Sequence, residues 1–381
     1  MSYSIRHCDA IAHIPESTWA TCFAQGGPAL QYPFLKALED SGSVGGDSGW
    51  QPKHLLIYHN EVICAILPGY VKHHSYGEYV FDHAWANAYA QHGLNYYPKW
   101  INAIPFTPVT GQRIGFVSGS EVSVIYQYLN TALPQWLEEQ GYHSGHILFA
   151  NDAERQQFQA QTSFAHRWSL QFEWRNQQYL DFDHYLSFMV ARRRKTIKKE
   201  RQKIAQQGLV IEQFYGDSLT PEIMAVFYEC YQATYLKRSG HTGYLSQAFF
   251  TQILRDFQDS LMVVMAFHEA RPVASALFLY DKCDLYGRYW GALEEFDGLH
   301  FECCYYRGIE FAIANDIQRF NPGTQGEHKI LRGFAPVFCH SFHYLQHPDF
   351  ATAVEDFVRR EATGIHAYKL QCDELLPFKQ E

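Results

Sequence analysis

The feature that most constrains this chain of 381 residues is an order of predicted elements that occurs twice. In the first half, a strand hairpin from Lys53 to Tyr70 precedes a helix from Val122 to Glu139 and a buried strand at 146–149. In the second half, a hairpin from Leu261 to Tyr280 precedes a strand and a helix from Phe301 to Phe320. Two successive units of similar order predict a duplicated α+β fold.

We predict one division of the chain, into an N-terminal domain of residues 1–180 and a C-terminal domain of residues 181–381. The second domain opens with a helix predicted from Phe182 to Gln206, which ends before Gly208, and a further helix is predicted from Pro221 to Arg238. Its hairpin, strand, helix, strand order is typical of an acyltransferase-type sheet.

Positive charge is concentrated in Arg192–Lys203, where eight of twelve residues are Lys or Arg and only Glu200 opposes them. The whole chain has a net charge of -9, so the other residues carry about -16 (-9 minus +7). Such concentration attracts an anionic ligand. A solvated helix and a nonspecific nucleic-acid patch are the alternatives at this point.

Composition excludes several classes of protein. Disorder is excluded by a content of 47% hydrophobic and 19% charged residues. Nine cysteines without a CxxC pair indicate reduced thiols in a cytosolic protein. The first residues lack the apolar core of a signal peptide, and the longest apolar run, Leu261–Phe267, is too short to cross a bilayer. We expect a cytoplasmic protein without integral membrane contact, and its oligomeric state stays open.

The loop Gly323–Pro336, GTQGEHKILRGFAP, carries the strongest chemical signal. Its glycines let the backbone approach a ligand closely. Glu327 is a candidate base, His328 a candidate proton shuttle, and Lys329 and Arg332 are candidate anion donors. The glycine spacing differs from that of a phosphate-binding P-loop.

Two further catalytic candidates, Glu302 and Tyr305, lie near the start of the predicted helix Phe301–Phe320. A glutamate there complements the helix dipole, which is the structural interpretation. If this helix end faces a pocket, Glu302 and Tyr305 could orient an amine and protonate a leaving group.

A polar and aromatic segment, His74–Trp100, supplies substrate-binding candidates in the first domain. They are Tyr76, Glu78, Asp82 and Trp85. Aromatic faces with paired carboxylates suit a sugar, peptide or amine ligand. A strand followed by an amphipathic helix with buried rings is the alternative.

We predict no metal site. His340, His343 and His347 could share one helical face by spacing, but no HExxH signature is present and Pro348 interrupts the segment. A serine hydrolase is also excluded, because the sequence has no GxSxG nucleophile elbow.

Several long segments together resemble an uncharacterised bacterial family of FemAB-like proteins of the GNAT superfamily, associated with peptidoglycan biosynthesis or recognition. The segments are distributed along the chain between Ser41 and Val337: SGSVGGDSGWQPKHLL, HSYGEYVFDHAWANAYAQHGLNYYPKW, IPFTPVTGQR, RRRKTIKKERQKIAQQGL, YWGALEEFDGLHFECCYYRGIEFAIAND and GTQGEHKILRGFAPV. The resemblance implies two tandem GNAT-like domains.

The resemblance also implies roles for the basic stretch. In FemAB-like aminoacyltransferases, a segment similar to KTIKKERQKIAQQG opens the second domain and holds the phosphates of a nucleotide-linked muropeptide. Arg192, Arg193, Lys195 and Lys198 are the positions here that match this anion-binding role.

This chain departs from those enzymes in lacking a long coiled-coil insertion. It also lacks the Q/RxxGxG/A loop of acetyl-CoA-dependent GNAT enzymes, which residues 289–292 only faintly approach. Aminoacyl-tRNA and acyl-CoA are therefore both expected as possible donor substrates, and no tightly bound cofactor is expected.

The function that follows is an N-acyltransferase that moves an aminoacyl or acyl group to an amine acceptor, with a cell-wall precursor as a possible acceptor. Such a reaction needs orientation, a proton acceptor and oxyanion donors, and it needs no covalent enzyme intermediate. The alternative is a noncatalytic module that recognises a cell-wall precursor or another anionic glycoconjugate.

Overall fold

The computed structural model describes residues 3–159, 163–324 and 326–379. The chain forms two compact units. Unit 1 comprises Met1–Leu170 and Phe338–Tyr368, and unit 2 comprises Gln171–Val337 and Lys369–Glu381. The predicted division after residue 180 names two continuous segments, whereas each compact unit takes a second segment from the C-terminal region.

The first part of the chain alternates short strands with helices. Its strands are β1 (Tyr3–Cys8), β2 (Trp50–Pro52), β3 (His54–His59), β4 (Val62–Leu67), β5 (Tyr70–Lys72), β6 (Lys99–Asn102), β7 (Gly115–Phe116), β8 (Ser144–Ala150) and β9 (Ala165–Arg175). Its helices are α1 (Glu16–Cys22), α2 (Tyr32–Asp40), α3 (His83–Gln91), α4 (Val122–Glu139) and α5 (Asp152–Gln159).

The rest of the chain repeats the mixture with longer strands. Its strands are β10 (Leu209–Tyr215), β11 (Leu261–His268), β12 (Arg271–Tyr280), β13 (Asp284–Ala292), β14 (Arg319–Asn321) and β15 (Ala335–Leu345). Its helices are α6 (Phe182–Ser187), α7 (Ala191–Gln206), α8 (Pro221–Ser239), α9 (Gln247–Asp256), α10 (Leu299–Phe301), α11 (Arg307–Ala314) and α12 (Pro348–Glu374). A π-helical segment, Glu302–Tyr306, joins α10 to α11.

Unit 1 contains two groups of paired strands. Four strands pair in the order β1, β3, β4, β7, with antiparallel neighbours. The others follow the order β15, β8, β6, β5, β2, in which only β6 and β8 are parallel. Its core holds Trp100 and Trp136, whose ring centroids lie 6.0 Å apart. Burying each such large side chain contributes about 1.5–3 kcal/mol or more.

Unit 2 is built on strands in the order β10, β11, β12, β13, β14, β9. The predicted hairpin from Leu261 to Tyr280 is confirmed as β11 and β12, which pair antiparallel. Six consecutive residues of β11, 261–266, are buried, as expected for a strand covered on both faces. Helix α8 approaches β13 closely, because a Cβ atom at Gly291 would lie 2.0 Å from the Cys230 carbonyl oxygen.

Helix α8 shows how local sequence sets an element's bounds. Thr220 caps its first turn by accepting a hydrogen bond from the Ile223 amide, and Pro221 occupies the first helical position. Gly240 ends the helix in the left-handed conformation at φ 71°. The structure therefore confirms the helix that the sequence predicts between Pro221 and Arg238.

Two predicted helices differ from the structure, and one helix-like spacing of histidines does not lie on a helix. The helix predicted from Phe182 to Gln206 is two helices, α6 and α7, because Val190 is extended and its amide bonds to the Pro377 carbonyl at 2.8 Å. The helix predicted from Phe301 to Phe320 ends at Ala314, since β14 follows. His340 and His343 lie on strand β15 instead of a helical face.

Within the described ranges, no helix is both long enough and apolar enough to cross a membrane.

Candidate functional site

The candidate site lies within unit 2, where two parallel strands separate. Strands β13 and β14 pair only from Asp284 to Tyr286, opposite Arg319–Asn321. Beyond that point β13 continues to Ala292 while β14 has ended. A cavity of about 460 Å³ opens there, lined by residues 287–290 on one side and 322–324 on the other. Its volume is within the range of small-molecule sites.

A β-bulge shapes one wall of this cavity. In the antiparallel pair of β12 and β13, Leu277 lies opposite Tyr289, and Phe278 lies opposite Gly287. Arg288 is the extra residue between them, and it lines the cavity. Bulges re-aim side chains and are frequent next to functional sites.

The π-helical segment Glu302–Tyr306 supplies a second wall, through Cys304 and Tyr305. π-Helical segments are rare, and those that occur are often found at functional sites. The extra residue in the turn rotates the following side chains to a different face of the helix. His300, just before the segment, also lines the cavity.

The third wall comes from a 3-10 helix, Glu327–Arg332, which begins after Gly326 and ends at Gly333 in the left-handed conformation. His328 and Lys329 of this helix line the cavity. The side chain of Lys329 is buried, and its Nζ donates to the Gly323 carbonyl at 2.7 Å. The predicted loop is therefore a helical turn that holds a lysine inside the unit.

His328 and Tyr305 form a hydrogen-bonded pair, with 2.8 Å between the tyrosine hydroxyl and Nε2 of the imidazole. Burial, Arg332 and Lys329 lower the pKa of His328, so the ring is neutral at pH 7. Burial raises the pKa of Tyr305, so its phenol stays protonated. A protonated phenol beside a neutral imidazole can pass a proton in either direction.

Lys329 has a proton affinity suited to acid–base chemistry. Burial lowers its pKa to about 7, and nearby Arg288 acts in the same direction. Burial also lowers the pKa of His300 to about 4, with His328 and Arg238 adding repulsion. Near neutral pH, a substantial fraction of Lys329 is therefore an uncharged amine.

Arg332 holds this turn in place. Its guanidinium donates to the His328 carbonyl at 2.8 Å, to the Tyr306 hydroxyl at 2.9 Å and to both carboxylate oxygens of Glu200 at 2.9 and 3.0 Å. Arg332 is buried and lies 3.6 Å from the centroid of the Phe301 ring. The structure thus gives it a positioning contact to His328.

The two glutamates predicted as catalytic lie elsewhere in unit 2. The Glu302 carboxylate is buried and accepts from Arg201 at 2.8 and 3.0 Å, and Arg307 lies 3.0 Å away. Glu327 is exposed. Neither is among the cavity-lining residues, whereas Tyr305, His328 and Lys329 are.

The basic helix α7 divides into paired and unpaired cations. Lys198, Arg201 and Lys203 form ion pairs, with Asp183 at 2.7 Å from Lys198. The other predicted anion-binding residues have no ion pair among the described residues; they are the exposed Arg192 and Lys195 and the half-buried Arg193. None of these residues lines the cavity.

The four predicted substrate-binding residues of the first domain lie in unit 1. Tyr76 is exposed, at 63%. Glu78 and Asp82 are buried around the Nζ atom of Lys99, at 2.8 and 2.5 Å. Trp85 is buried in a hydrophobic cluster with Tyr89 and Val358.

Sequence reasoning missed several residues of the cavity. They are Arg238 at the end of α8, Arg288 and Trp290 on β13, His300 and Cys304. A weak signal was available, since the YWGA segment after Arg288 interrupts the strand pattern with glycine. The cavity cannot be assembled from the sequence, because its walls lie up to about ninety positions apart (Arg238 to Lys329).

Within residues 3–159, 163–324 and 326–379, no three His, Cys, Asp or Glu side chains are placed to hold a metal ion.

The structure is similar to FemX, with a TM-score of 0.53 and 11% identity over 93% of this chain and 100% of that chain. It is also similar to the C-terminal domain of a candidate lysylphosphatidylglycerol synthetase from Agrobacterium fabrum (TM-score 0.51, 12% identity, 91% and 96% coverage). A tandem GNAT protein from the clavulanic acid biosynthesis pathway has a TM-score of 0.44 and 9% identity, with 91% and 99% coverage. A comparison of the sequence with curated proteins finds no match.

The class that this fold defines is an α+β protein with the fold of FemX and of that synthetase domain, which confirms the predicted FemAB-like α+β fold. The FemAB-like family, described as peptidoglycan biosynthesis/recognition, matches residues 10–380. The chain belongs to the FemAB-like family.

Proposed function

We propose that unit 2 catalyses transfer of an acyl or aminoacyl group from an activated ester or thioester to an amine, inside the cavity between β13 and β14. The observation that carries the proposal is a buried lysine with a pKa of about 7, lining one cavity with the His328–Tyr305 pair. Membership of the FemAB-like family supports an acyltransferase-type role.

The proposed chemistry assigns each residue one task. The amine attacks the carbonyl carbon, a C–N bond forms, and the C–O or C–S bond to the leaving group breaks. Neutral Lys329 accepts the proton that the amine loses, since its pKa lies near the working pH. Tyr305 protonates the leaving group and regains a proton from solvent through His328, and Lys329 releases its proton to solvent before the next turnover. Glu302 and Glu327 have no catalytic task in this proposal.

The surroundings of the cavity favour an aminoacyl ester as donor over acyl-CoA. The connection from β13 to α10, residues 293–298, carries Glu294, Glu295 and Asp297. Each of them is paired with a cation, Glu294 with Arg271, Glu295 with Lys237 and Asp297 with Lys203, so this connection offers a diphosphate no excess of positive charge. This supports the donor that FemAB-like aminoacyltransferases use, and the family description supports a cell-wall precursor as acceptor.

We further propose that Arg192, Arg193 and Lys195 hold a substrate phosphate, because they lie in the first turns of α7 without ion-pair partners among the described residues. Arg193→Ala or Lys195→Ala should weaken binding of a phosphate-bearing substrate, measured by calorimetry. Lys203→Ala is the control, since Lys203 is already paired with Asp297. Equal losses in all three variants would indicate a nonspecific cationic patch instead.

The experiment that tests the transferase incubates the purified protein with charged tRNA or acyl-CoA and a panel of amine acceptors. Lys329→Met should reduce transfer by at least about a hundredfold. Lys282→Met, which removes an exposed lysine from the β12–β13 turn, should leave it unchanged. Binding of either donor without turnover would contradict the transferase and support a recognition module.

A further inference from the structure

The cavity of unit 2 is lined by basic residues without carboxylates. Arg238, Arg288 and Lys329 are among its described lining residues, together with His300 and His328. None of the described residues that line it is Asp or Glu. This contrasts with the chain as a whole, which has 40 acidic and 31 basic residues.

One of these basic residues has a hydrogen-bond donor left for a ligand. In the uncharged form that accepts a proton, the Lys329 amine still has two N–H groups to donate. Lys329 is 2% exposed, and the Gly323 carbonyl is its one acceptor among the described residues. Leaving a buried donor without a partner costs about 1–3 kcal/mol, so an oxyanion that reached Nζ would be favoured.

The positive field of the cavity is visible in its other titratable groups. Burial lowers the pKa of His300, and His328, Arg238, Lys329 and Arg332 all add repulsion. Burial lowers the pKa of His328 as well, and Arg332 and Lys329 add to the effect. A bound anion would oppose this field and raise both values.

The excess of basic residues does not extend to the connection beside the cavity. The connection from β13 to α10 carries Glu294, Glu295 and Asp297, and these residues are not among the lining residues. Each of them is paired with a cation, so a phosphate-bearing group at this connection meets no excess of positive charge, whereas a small anion inside the cavity does. The positive charge therefore serves the part of the substrate that enters the cavity.

We propose that this part of the substrate carries a carboxylate, on the transferred acyl group or on the amine acceptor, and that Lys329 and Arg288 bind it. This inference rests on the proposed function, because it names the substrate class of the same site. An acidic acyl group or an amino-acid acceptor with a free carboxylate satisfies the chemistry. A neutral, purely apolar acyl group would leave the second N–H of Lys329 without an acceptor.

The experiment measures binding to the full chain with three probes, namely glutarate, its neutral isostere glutaramide and inorganic phosphate. Calorimetry should show glutarate binding at least about tenfold more tightly than glutaramide and phosphate. In histidine NMR titrations, saturating glutarate should raise the pKa of His300 and of His328.

Two arginine variants locate the binding. Arg288→Gln and the exposed Arg238→Gln should each weaken glutarate binding, Arg288→Gln by about tenfold. Arg271→Gln is the matched control on the neighbouring strand β12, because Arg271 is exposed and is not a lining residue. It should bind glutarate as the unmodified protein does.

Each outcome decides the inference. Equal binding of glutarate and glutaramide, or histidine pKa values that glutarate leaves unchanged, would overturn it. Preference for phosphate over glutarate would also overturn it and would assign the cations to a donor phosphate. Transfer activity without carboxylate preference would refute this inference alone, whereas glutarate binding with no transfer from any donor would refute the transferase.

Discussion

Lys99 of unit 1 and Lys329 of unit 2 are both buried beside a tyrosine and a histidine, but of these two only Lys99 is matched by carboxylates. In unit 1, Lys99 is fully buried and donates to Ser75, Glu78 and Asp82. In unit 2, Lys329 is 2% exposed and donates to the Gly323 carbonyl.

The difference appears in the proton affinities. Burial lowers the pKa of a lysine, but at Lys99 the charges of Glu78 and Asp82 outweigh burial and raise it. Burial by itself would raise the pKa of the Asp82 carboxyl, but the positive charge of Lys99 holds that pKa well below its usual range. At Lys329 burial prevails and the pKa falls to about 7. Burial alone therefore does not make a lysine reactive, since its partners decide.

The largest effect is expected where the carboxylates lose their lysine. Lys99→Met leaves Glu78 and Asp82 buried without their cation, which should lower the free energy of unfolding by about 3–5 kcal/mol. Urea denaturation measures the change. The control Lys199→Met alters an exposed lysine of α7 and should stay within about 0.5 kcal/mol. A loss below about 1 kcal/mol for Lys99→Met would mean that water reaches Glu78 and Asp82. The proposed difference between Lys99 and Lys329 would then be wrong.

A second effect is expected on catalysis in unit 2. Tyr305→Phe keeps the buried ring but removes the hydroxyl that lies 2.8 Å from His328. Because the proposed leaving-group protonation is lost, the transfer rate should fall by about a hundredfold or more. Single-turnover assays with the preferred donor measure it, and Tyr280→Phe, in the same unit and outside the cavity, is the control. An unchanged rate would remove Tyr305 from the mechanism.

The pH dependence of stability should distinguish the two lysines. The pKa of Lys329 is about 7 in the folded chain and about 10.4 in an unfolded chain, so between these values the unfolded state binds more protons. Stability relative to Lys329→Met should therefore rise with pH across this window, by at most about 1.4 kcal/mol per pH unit.

Urea denaturation of both chains at pH 7, 8, 9 and 10 measures the slope. The pKa of Lys99 is raised, so its contribution is present below the unfolded value and is lost only as pH rises through the folded value. The free energy of unfolding of the unmodified protein minus that of Lys329→Met should rise from pH 7 to 10. A difference that falls or stays constant over this range would contradict a lowered pKa at Lys329.

The smallest effect is expected at the exposed ion pair of Lys203 and Asp297. Lys203 and Asp297 form an ion pair with half or more of each side chain in solvent. Exposed pairs contribute little because water screens them, so Lys203→Ala should change stability by less than about 0.5 kcal/mol. Thermal unfolding at low and high salt measures it. A loss of stability as large as that of Lys99→Met would show that solvent exposure does not explain the different contributions of Lys203 and Lys99 to stability.

The sequence predicted the features that depend on local patterns. The duplicated element order, the hairpin Leu261–Tyr280 and the helix that begins at Pro221 follow from periodicity and from capping residues, which act over a few positions. The loop with His328 and Lys329 stood out for the same reason, because its glycines and charges are adjacent in the chain.

The ion-pair partners and the tertiary contacts of the site residues could not be predicted from the sequence. Glu302 looked like a catalytic or dipole-stabilising residue, but its partner Arg201 lies about a hundred positions earlier. The bulge at Arg288 and the π-helical segment depend on strand register and helix packing, which no short sequence pattern specifies. The cavity walls come together only through these tertiary contacts.

The interleaved course of the chain has a consequence for its synthesis. Unit 1 begins at the N-terminus, but its second segment, residues 338–368, follows the main segment of unit 2 in the sequence. A ribosome makes roughly 5–20 residues per second, so the early strands of unit 1 wait for the intervening segment to be made before β15 can pair with β8. A fragment that stops at residue 180 lacks that strand. Nascent chains shorter than about 345 residues should therefore expose the open edge of β8 to chaperones or to other chains.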